Sequence, residues 1–373
     1  MLHSLHPRRF RSSPHVELKR LDDLAAEQRG PFRQLESDPD FHGLFVPKPP
    51  LRMNLQSVGQ QTAELFQSLA TPSCLADHDD DVIDLVLDGI FEIESDDGFV
   101  SGADALTVLR GPVDASDVGG LSRHALLHAQ DLETSDPQAL TMALYFYNRI
   151  PITPFWKARF ATREAILAHI GADRGSLRAL LERHWIASGR MTGWLSWTSK
   201  TRIPHNADDV TYKLYVSPRS ERIRDAFEIV VRVLSDFPGT PFKIGDGAVG
   251  LLRPDKIVAY FATRELLGEA ADVLHRELAG CDAHGVPFSA GLDEEGLLSW
   301  GVDPPDSDRA LQWLGRESWR FWVAKRLGAA LSIAKLARTT AAVEPWRFAV
   351  ERARRHGVDV ETWTPTAALW SMA

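Results

Sequence analysis

The chain has 373 residues, of which 44% are hydrophobic and 25% are charged, so it can form one large or two ordinary globular domains. Its net charge of −9 excludes wholesale non-specific binding to nucleic acid. The two cysteines exclude a disulfide framework or a four-thiolate zinc site and fit a reducing cytoplasm. We find no secretory signal and no apolar run of the roughly 18 residues that a membrane helix needs. We therefore expect a cytoplasmic protein with neither a nucleic-acid nor a membrane partner.

The hydrophobic pattern divides the chain into four parts. Residues 1–55 are polar and rich in proline, and we interpret them as an extended polar arm. Helical spacing predominates over residues 56–189, for example in "DVIDLVLDGIFEIE" and "GSLRALLERHWIAS". Alternating strand patterns and helical patterns follow over residues 190–343, and residues 344–373 form a C-terminal helix and tail. The fold class is therefore α+β, with a helical N-terminal half and a C-terminal half whose mixed or antiparallel sheet is flanked by helices.

Three glycines in "KIGDGAVGLLRPDKIVAYF" have the spacing of a dinucleotide-binding loop, at Gly245, Gly247 and Gly250. Such a loop has to open a helix, whose N-terminal amides bind the pyrophosphate. Here Pro254 and a β-branched run follow instead, and these predict a turn and a second strand. We interpret the motif as a glycine-rich connection between two strands.

A second candidate site is the pair His124 and His128, four residues apart on a predicted helix, with Asp131 three residues further on. This spacing could hold a metal. A catalytic zinc helix of this kind usually also carries a glutamate between the histidines, and this one does not. We interpret them as surface or core histidines and expect no metal.

Strand alternation places several cations on one face of the predicted sheet. In "TYKLYVS" Lys213 and Tyr215 share a face, and the other face carries the apolar set Tyr212, Leu214 and Val216. In "PFKIG" Lys243 points away from two apolar neighbours, and Arg253 follows in the next connection. Two lysines and a tyrosine are thus predicted to share one sheet face. An ordinary solvated face explains the same pattern, so the residues alone leave both interpretations open.

The order of elements from Val210 to Pro305 resembles the phosphothreonine lyases among bacterial type III effectors and the lyase domains of lanthipeptide synthetases. It also resembles the HopA-type effector family, whose bacterial relatives look like lyases of ribosomal peptide biosynthesis. The matching segments are "YKLYVS", "AFEIVVRVL", "PFKI", "KIVAYF", "ADVLHREL" and "HGVPFSAGL", followed by "ESWRFWVAKRLGAAL". The resemblance covers roughly the C-terminal 45% of the chain and implies an α+β lyase fold.

This resemblance implies a role for each cation. Lys243 matches the lysine taken to remove the α-proton, and Lys213 matches a phosphate-binding lysine. Tyr215 replaces the histidine acid of the lyases, and a tyrosine can also donate a proton to a leaving phosphate. Arg253 is expected to bind phosphate.

One lyase motif is incomplete in this sequence. The serine, aromatic and arginine motif of the lyases appears as Ser299, Trp300 and Gly301, without its arginine. Lys325 or Arg326, in the basic stretch after "ESW", is expected to replace this arginine as a phosphate ligand.

The implied function is a lyase that eliminates phosphate from phosphoserine or phosphothreonine in a precursor peptide, as in lanthipeptide biosynthesis. This chemistry needs a base, cations for the phosphate and no metal or organic cofactor. A separate kinase has to supply the phosphate, and a cyclase subunit is a further possible partner. Two alternatives stay open, namely a cyclase that adds cysteine thiols to dehydroamino acids and a non-catalytic peptide-binding subunit.

Aromatic anchors are common in peptide-binding grooves. Seven tryptophans flank the α+β half and fit a peptide partner: Trp185, Trp194, Trp197, Trp300, Trp313, Trp319 and Trp322.

Overall fold

The computed structural model describes residues 8–75, 80–110, 118–188, 193–201, 210–304, 317–336 and 343–367. Its α-helices are α1 (Ala26–Arg29), α2 (Gln60–Ser68), α3 (Asp80–Leu87), α4 (Gly102–Arg110), α5 (Gly120–Asp131), α6 (Pro137–Tyr145), α7 (Pro154–Arg159), α8 (Arg163–His169), α9 (Gly175–His184), α10 (Ile223–Leu234), α11 (Gly247–Leu251), α12 (Arg264–Glu277), α13 (Trp319–Ala334) and α14 (Pro345–Arg355). None of the helices in these ranges is both long enough and apolar enough to cross a membrane.

The strands are β1 (Arg9–Ser12), β2 (Val16–Lys19), β3 (Phe41–Pro47), β4 (Gln56–Gly59), β5 (Ser73–Cys74), β6 (Phe91–Ser95), β7 (Gly98–Val100), β8 (Trp185–Ser188), β9 (Trp194–Ser199), β10 (Tyr212–Val216), β11 (Phe242–Gly245), β12 (Ile257–Phe261), β13 (Ala290–Gly291), β14 (Leu298–Val302), β15 (Val358–Asp359) and β16 (Thr364–Pro365). The α+β class is confirmed. Two compact units contain these elements: residues 1–117, 126–144 and 324–356 form the first, and residues 118–125, 145–323 and 357–373 form the second.

The first unit corrects two expectations about the N-terminal half. Within the expected arm of residues 1–55, the described residues 8–55 are not extended and unpaired, because β1, β2 and β3 lie among them and pair in two antiparallel sheets. The segment "DVIDLVLDGIFEIE" is not one helix either. Gly89 has a φ of +81°, which ends the helical stretch, and the aromatic and β-branched residues that follow form β6. Buried aromatic residues from both sheets and from α2 form a shared core.

The second unit is built on a seven-stranded antiparallel sheet with the order β13-β14-β10-β12-β11-β9-β8. Alternate side chains of its central strands, such as Leu214, Phe242 and Ala259, point to one face and are buried. They form one hydrophobic core with the apolar faces of α8, α9, α10 and α12. The helices thus cover one face of the sheet, and the opposite face carries the polar side chains described below.

Two details of this unit differ from the sequence interpretation. "GSLRALLERHWIAS" is helical only as far as His184, and its last residues form the edge strand β8. The glycine motif does connect two strands, as predicted, but it contains the one-turn helix α11, which was not predicted. Its glycines have a packing reason, because a Cβ atom on Gly245 would lie 2.2 Å from the carbonyl carbon of Gly250. The close approach of these two backbone segments accounts for the motif without a phosphate ligand.

Candidate active site

The candidate site lies on the sheet face opposite the helical core, which we call the site face. Antiparallel register places Lys213 opposite Tyr260, and places Lys243 opposite Val258, which in turn lies opposite Tyr215. Directly paired residues share a face, so the two lysines and both tyrosines lie on the same side. The predicted common face of Lys213, Tyr215 and Lys243 is therefore confirmed. Strand β12 lies between the two strands that supply them.

Lys243 is the most unusual group on this face. Its Nζ atom lies 4.1 Å from the centroid of the Trp194 ring and 5.5 Å from that of Tyr260. Burial, with a further contribution from the charge of Lys213, lowers the pKa of Lys243 to about 8. Among the described residues its ammonium has neither a hydrogen-bond partner nor an ion-pair partner. The side chain is half-buried, in contrast to the fully buried apolar residues on either side of it in β11.

Lys213 differs from Lys243 because its charge is balanced. Its Nζ atom forms an ion pair with Asp303, which directly follows β14, and both side chains are largely buried. The same nitrogen lies 5.7 Å from the centroid of the Tyr260 ring. The Tyr260 ring thus lies close both to the Lys213–Asp303 pair and to Lys243.

Tyr215 is more deeply buried than a residue on a solvated face. Its side chain is 3% exposed, and its hydroxyl has no hydrogen-bond partner among the described residues. Burial raises the pKa of Tyr215 well above its usual value, so the phenol keeps its proton at neutral pH. The interpretation as an ordinary solvated face therefore fails at this residue.

Arg253 belongs to a buried charge cluster next to these groups. Its guanidinium donates hydrogen bonds of 2.7 and 2.8 Å to Asp255 and one of 2.8 Å to the Tyr145 hydroxyl. It lies 5.3 Å from the centroid of the Trp194 ring, which also contacts Lys243. The predicted proximity of Arg253 to Lys243 is confirmed, and both its phosphate role and that of Lys213 stay predictions.

The sequence interpretation missed Arg320, the first arginine after "ESW". Its side chain is 1% exposed, and its Nη1 atom lies 2.8 Å from a carboxylate oxygen of Asp255. It also donates 2.9 and 3.2 Å hydrogen bonds to the carbonyls of Pro287 and Tyr145. Burial alone would raise the pKa of Asp255, but Arg320 and Arg253 together hold it well below its usual value. One carboxylate therefore fixes two guanidinium groups.

Gly301 ends the segment Ser299, Trp300 and Gly301, and packing explains the glycine. A Cβ atom there would lie 3.2 Å from Cδ1 of Trp319 and 3.4 Å from the Tyr215 hydroxyl. Trp319 cannot move away easily, because it is fully buried, stacked on Trp322 and hydrogen-bonded to the Trp363 carbonyl. An arginine does not fit at residue 301.

Lys325 and Arg326 were expected to supply the missing cation, and this role stays a prediction; the site face belongs to the second unit. Both lie on α13 in the part that belongs to the first unit. There the charge of Arg326 affects the titration of Asp88 and His356. Arg320 lies in the second unit and shares Asp255 with Arg253.

Lys256 is another lysine with a strongly lowered pKa. It is fully buried, and burial lowers its pKa to about 7. Its Nζ atom is 2.8 Å from both the Pro218 carbonyl and Nδ1 of His284, and burial lowers the pKa of that imidazole to about 4. Lys256 is therefore a structural group, enclosed and hydrogen-bonded, whereas Lys243 is half-buried and has no such partner among the described residues.

The tryptophans have different roles. Trp194 contacts both Lys243 and Arg253 on the site face. Trp185 and Trp197 belong to the hydrophobic core on the other side of the sheet, and Trp313 lies outside the described residues. No group of three metal-ligating side chains occurs within the described ranges.

Comparison with known proteins finds distant similarity to solved structures and no sequence match. No protein-family model and no curated protein matches the chain. The solved structure of an effector protein from Pseudomonas syringae pv. tomato strain DC3000 is 11% identical, with a TM-score of 0.38 over 65% of this chain and 95% of that one. An effector protein from Pseudomonas syringae pv. syringae strain 61 is 12% identical, with a TM-score of 0.36 over 69% and 100% of the two chains. These TM-scores are too low to carry an argument, so the chemistry of the site is argued from its own residues.

Proposed function

We propose that the site face eliminates phosphate from phosphoserine or phosphothreonine in a precursor peptide and leaves a dehydroamino acid, as in lanthipeptide biosynthesis. The observation that carries this proposal is the state of Lys243. Its side chain is half-buried, its amine is unpaired among the described residues, and its pKa is about 8. A lysine in this state supplies neutral amine near neutral pH, which is the requirement for a general base.

The elimination needs one proton acceptor and one route for the leaving group. In the proposed reaction the Lys243 amine takes the α-proton, the electron pair of that bond forms the Cα–Cβ double bond, and the Cβ–O bond breaks. The Tyr215 hydroxyl donates its proton to the departing phosphate oxygen. Its raised pKa keeps that proton available at neutral pH.

The phosphate has to be held by positive charge close to the base. Lys213 shares the Tyr260 ring with Lys243, and Arg253 shares the Trp194 ring with it. Both cations are already oriented by carboxylates, Lys213 by Asp303 and Arg253 by Asp255. Such preoriented charges stabilise a leaving anion without reorganisation during the reaction.

Mass spectrometry of a phosphoserine peptide incubated with the purified protein tests this function. A loss of about 98 Da, the mass of phosphoric acid, is the expected result. A parallel sample contains the unphosphorylated precursor with a partner kinase and ATP. A phosphopeptide that stays intact in both samples would contradict the lyase function.

A second candidate is a non-catalytic subunit that binds the phosphopeptide. The observation that favours it is that Lys213 and Arg253 each have a carboxylate partner, an arrangement that also suits simple phosphate recognition. In that case the phosphopeptide binds the protein with its mass unchanged, and a Lys243→Met substitution has no chemical step to remove.

A further inference from the structure

A cavity of about 420 Å³ lies at the end of the seven-stranded sheet where β11 begins and β12 ends. Its described lining residues are Thr198, Ser199, Thr201, Thr211, Pro238, Gly239, Thr240, Pro241, Tyr260, Phe261, Ala262 and Leu266. Its size lies within the range of ligand pockets, roughly 300–1,000 Å³. Neither the proposed elimination nor the charge cluster uses this cavity.

The described lining of this cavity is uncharged and largely apolar. Phe261, Ala262 and Leu266 supply hydrocarbon surface, and threonine and serine hydroxyls supply the polar part. Leu266 is 37% exposed, which is unusual among the leucines of the described residues. This lining suits an uncharged, mainly apolar group and disfavours a carboxylate or an ammonium.

Hydrogen bonds fix the walls of the cavity. The Ser199 hydroxyl accepts a 3.2 Å hydrogen bond from the amide of Gly239, and the Pro241 carbonyl accepts one of 3.0 Å from the amide of Tyr260. The Thr240 carbonyl accepts a 2.8 Å hydrogen bond from the Trp185 indole. The cavity is therefore part of the folded sheet and is formed before any ligand binds.

Tyr260 connects the cavity to the candidate active site. Its ring lies 5.5 Å from Nζ of Lys243 and 5.7 Å from Nζ of Lys213, and the same residue lines the cavity. In an extended peptide, side chains two residues apart point the same way and are about 6.5–7 Å apart. If the phosphorylated residue of the peptide lies at Lys213 and Lys243, the peptide side chain two positions away would therefore lie on the far side of the Tyr260 ring, at the cavity.

We infer that this cavity binds an uncharged, apolar side chain of the substrate peptide, two positions from the phosphorylated residue. The inference rests on the proposed function, because that function places a phosphopeptide across Tyr260. It adds a sequence preference that the elimination chemistry itself does not require.

Phosphoserine peptides test this preference. They carry Leu, Ala or Asp at each of the two positions before and the two positions after the phosphoserine. We expect Leu at one of the two second positions to lower KM about tenfold relative to Asp. Leu266→Asp should raise KM for that Leu peptide about tenfold and leave kcat within about twofold. Leu266→Met keeps an apolar wall and is the matched control. An aspartate in the first turn of α12 suits the helix dipole, so the variant should fold.

Each outcome is decisive. Equal KM values for the Leu and Asp peptides, or a Leu preference that survives Leu266→Asp, would overturn the inference and leave the lyase function intact. If the wild type eliminates phosphate from none of the peptides, the proposed function fails. The cavity is then tested by titrating the unphosphorylated Leu and Asp peptides onto the wild type and Leu266→Asp. Tighter binding of the Leu peptide that Leu266→Asp removes supports the cavity as a binding site, and equal affinities contradict it.

Discussion

The ammonium group of Lys243 lies 4.1 Å from the centroid of the Trp194 indole, without a hydrogen bond or ion pair within the described residues. The aromatic face stabilises the charged form by about 0.5–2 kcal/mol, whereas burial and Lys213 destabilise it. Burial and the charge of Lys213 lower the pKa to about 8. The attraction of the Trp194 ring for the ammonium opposes this lowering.

Trp194→Leu should shift the pH dependence of elimination to lower pH. Removing the indole removes its attraction for the ammonium, so the rate midpoint should fall from about 8 by about half a unit to one unit. Initial rates between pH 6 and 10 measure this shift. Trp300→Leu, on the opposite face of the sheet, is the control and should leave the midpoint in place. A midpoint that stays or rises in Trp194→Leu contradicts the assignment.

Lys243→Met should abolish elimination and stabilise the fold at pH 7. The folded pKa of about 8 lies below the ordinary 10.5, so the unfolded chain binds more protons between these values. The wild type therefore gains stability as pH rises through this window, and the methionine variant does not. We expect the variant to be about 1–3 kcal/mol more stable at pH 7, with the difference shrinking above pH 8.

Urea denaturation at pH 7 and at about pH 9.5 measures both stability differences. Lys157→Ala, an exposed lysine of the same unit, should show neither effect. A methionine variant that is less stable than the wild type at pH 7 would show that Lys243 makes a stabilising contact in the folded protein.

Tyr215→Phe should separate catalysis from stability. The Tyr215 hydroxyl is buried without a partner among the described residues, so removing it breaks no hydrogen bond there. The unfolding free energy should stay within about 1 kcal/mol or rise. The elimination rate should fall about 10²–10⁴-fold if this hydroxyl is the general acid. Tyr212→Phe, on the opposite face of the same strand, is the control. A full rate in Tyr215→Phe would remove Tyr215 from the mechanism.

Gly301→Ala should destabilise the protein by about 1–3 kcal/mol. The new methyl group would press on the Trp319 indole at 3.2 Å, and that indole is stacked and hydrogen-bonded in place. Thermal unfolding measures the loss of stability. Gly291→Ala is the control, because a Cβ atom there would lie 3.6 Å from its nearest neighbouring atom. Gly296→Ala is unsuitable as a control because Gly296 has a φ of +79°. An unchanged Tm in Gly301→Ala would show that Trp319 can move.

The sequence was sufficient to predict the site face. Strands alternate with a period of two, so the apolar neighbours of Lys213 and Lys243 fix where both lysines point. The partners Asp303, Asp255 and Arg320 were not predictable in this way. Asp303 is 90 residues from Lys213, and Arg320 is likewise far in the chain from Asp255. Asp255 is close in the chain to Arg253, but local periodicity carries no information on which charged side chains meet.

The errors have equally specific causes. Strands β1 and β2 have four residues each and carry charged side chains, so they resemble an unstructured arm until their pairing is known. Lys325 and Arg326 lie one turn or more beyond Arg320 on α13, where the helix already belongs to the first unit. A basic stretch on a helix predicts positive charge in a region and does not select which residue reaches a site.

The most direct test of the central claim compares wild type, Lys243→Met and Lys157→Ala on one phosphoserine peptide at about pH 8, the pKa of Lys243. The measured quantity is the initial rate at which the peptide loses about 98 Da. The account predicts full rates for the wild type and Lys157→Ala and no detectable loss for Lys243→Met, whose fold is verified by its unfolding transition. A Lys243→Met variant that eliminates phosphate at the wild-type rate would contradict the role of Lys243 as the base.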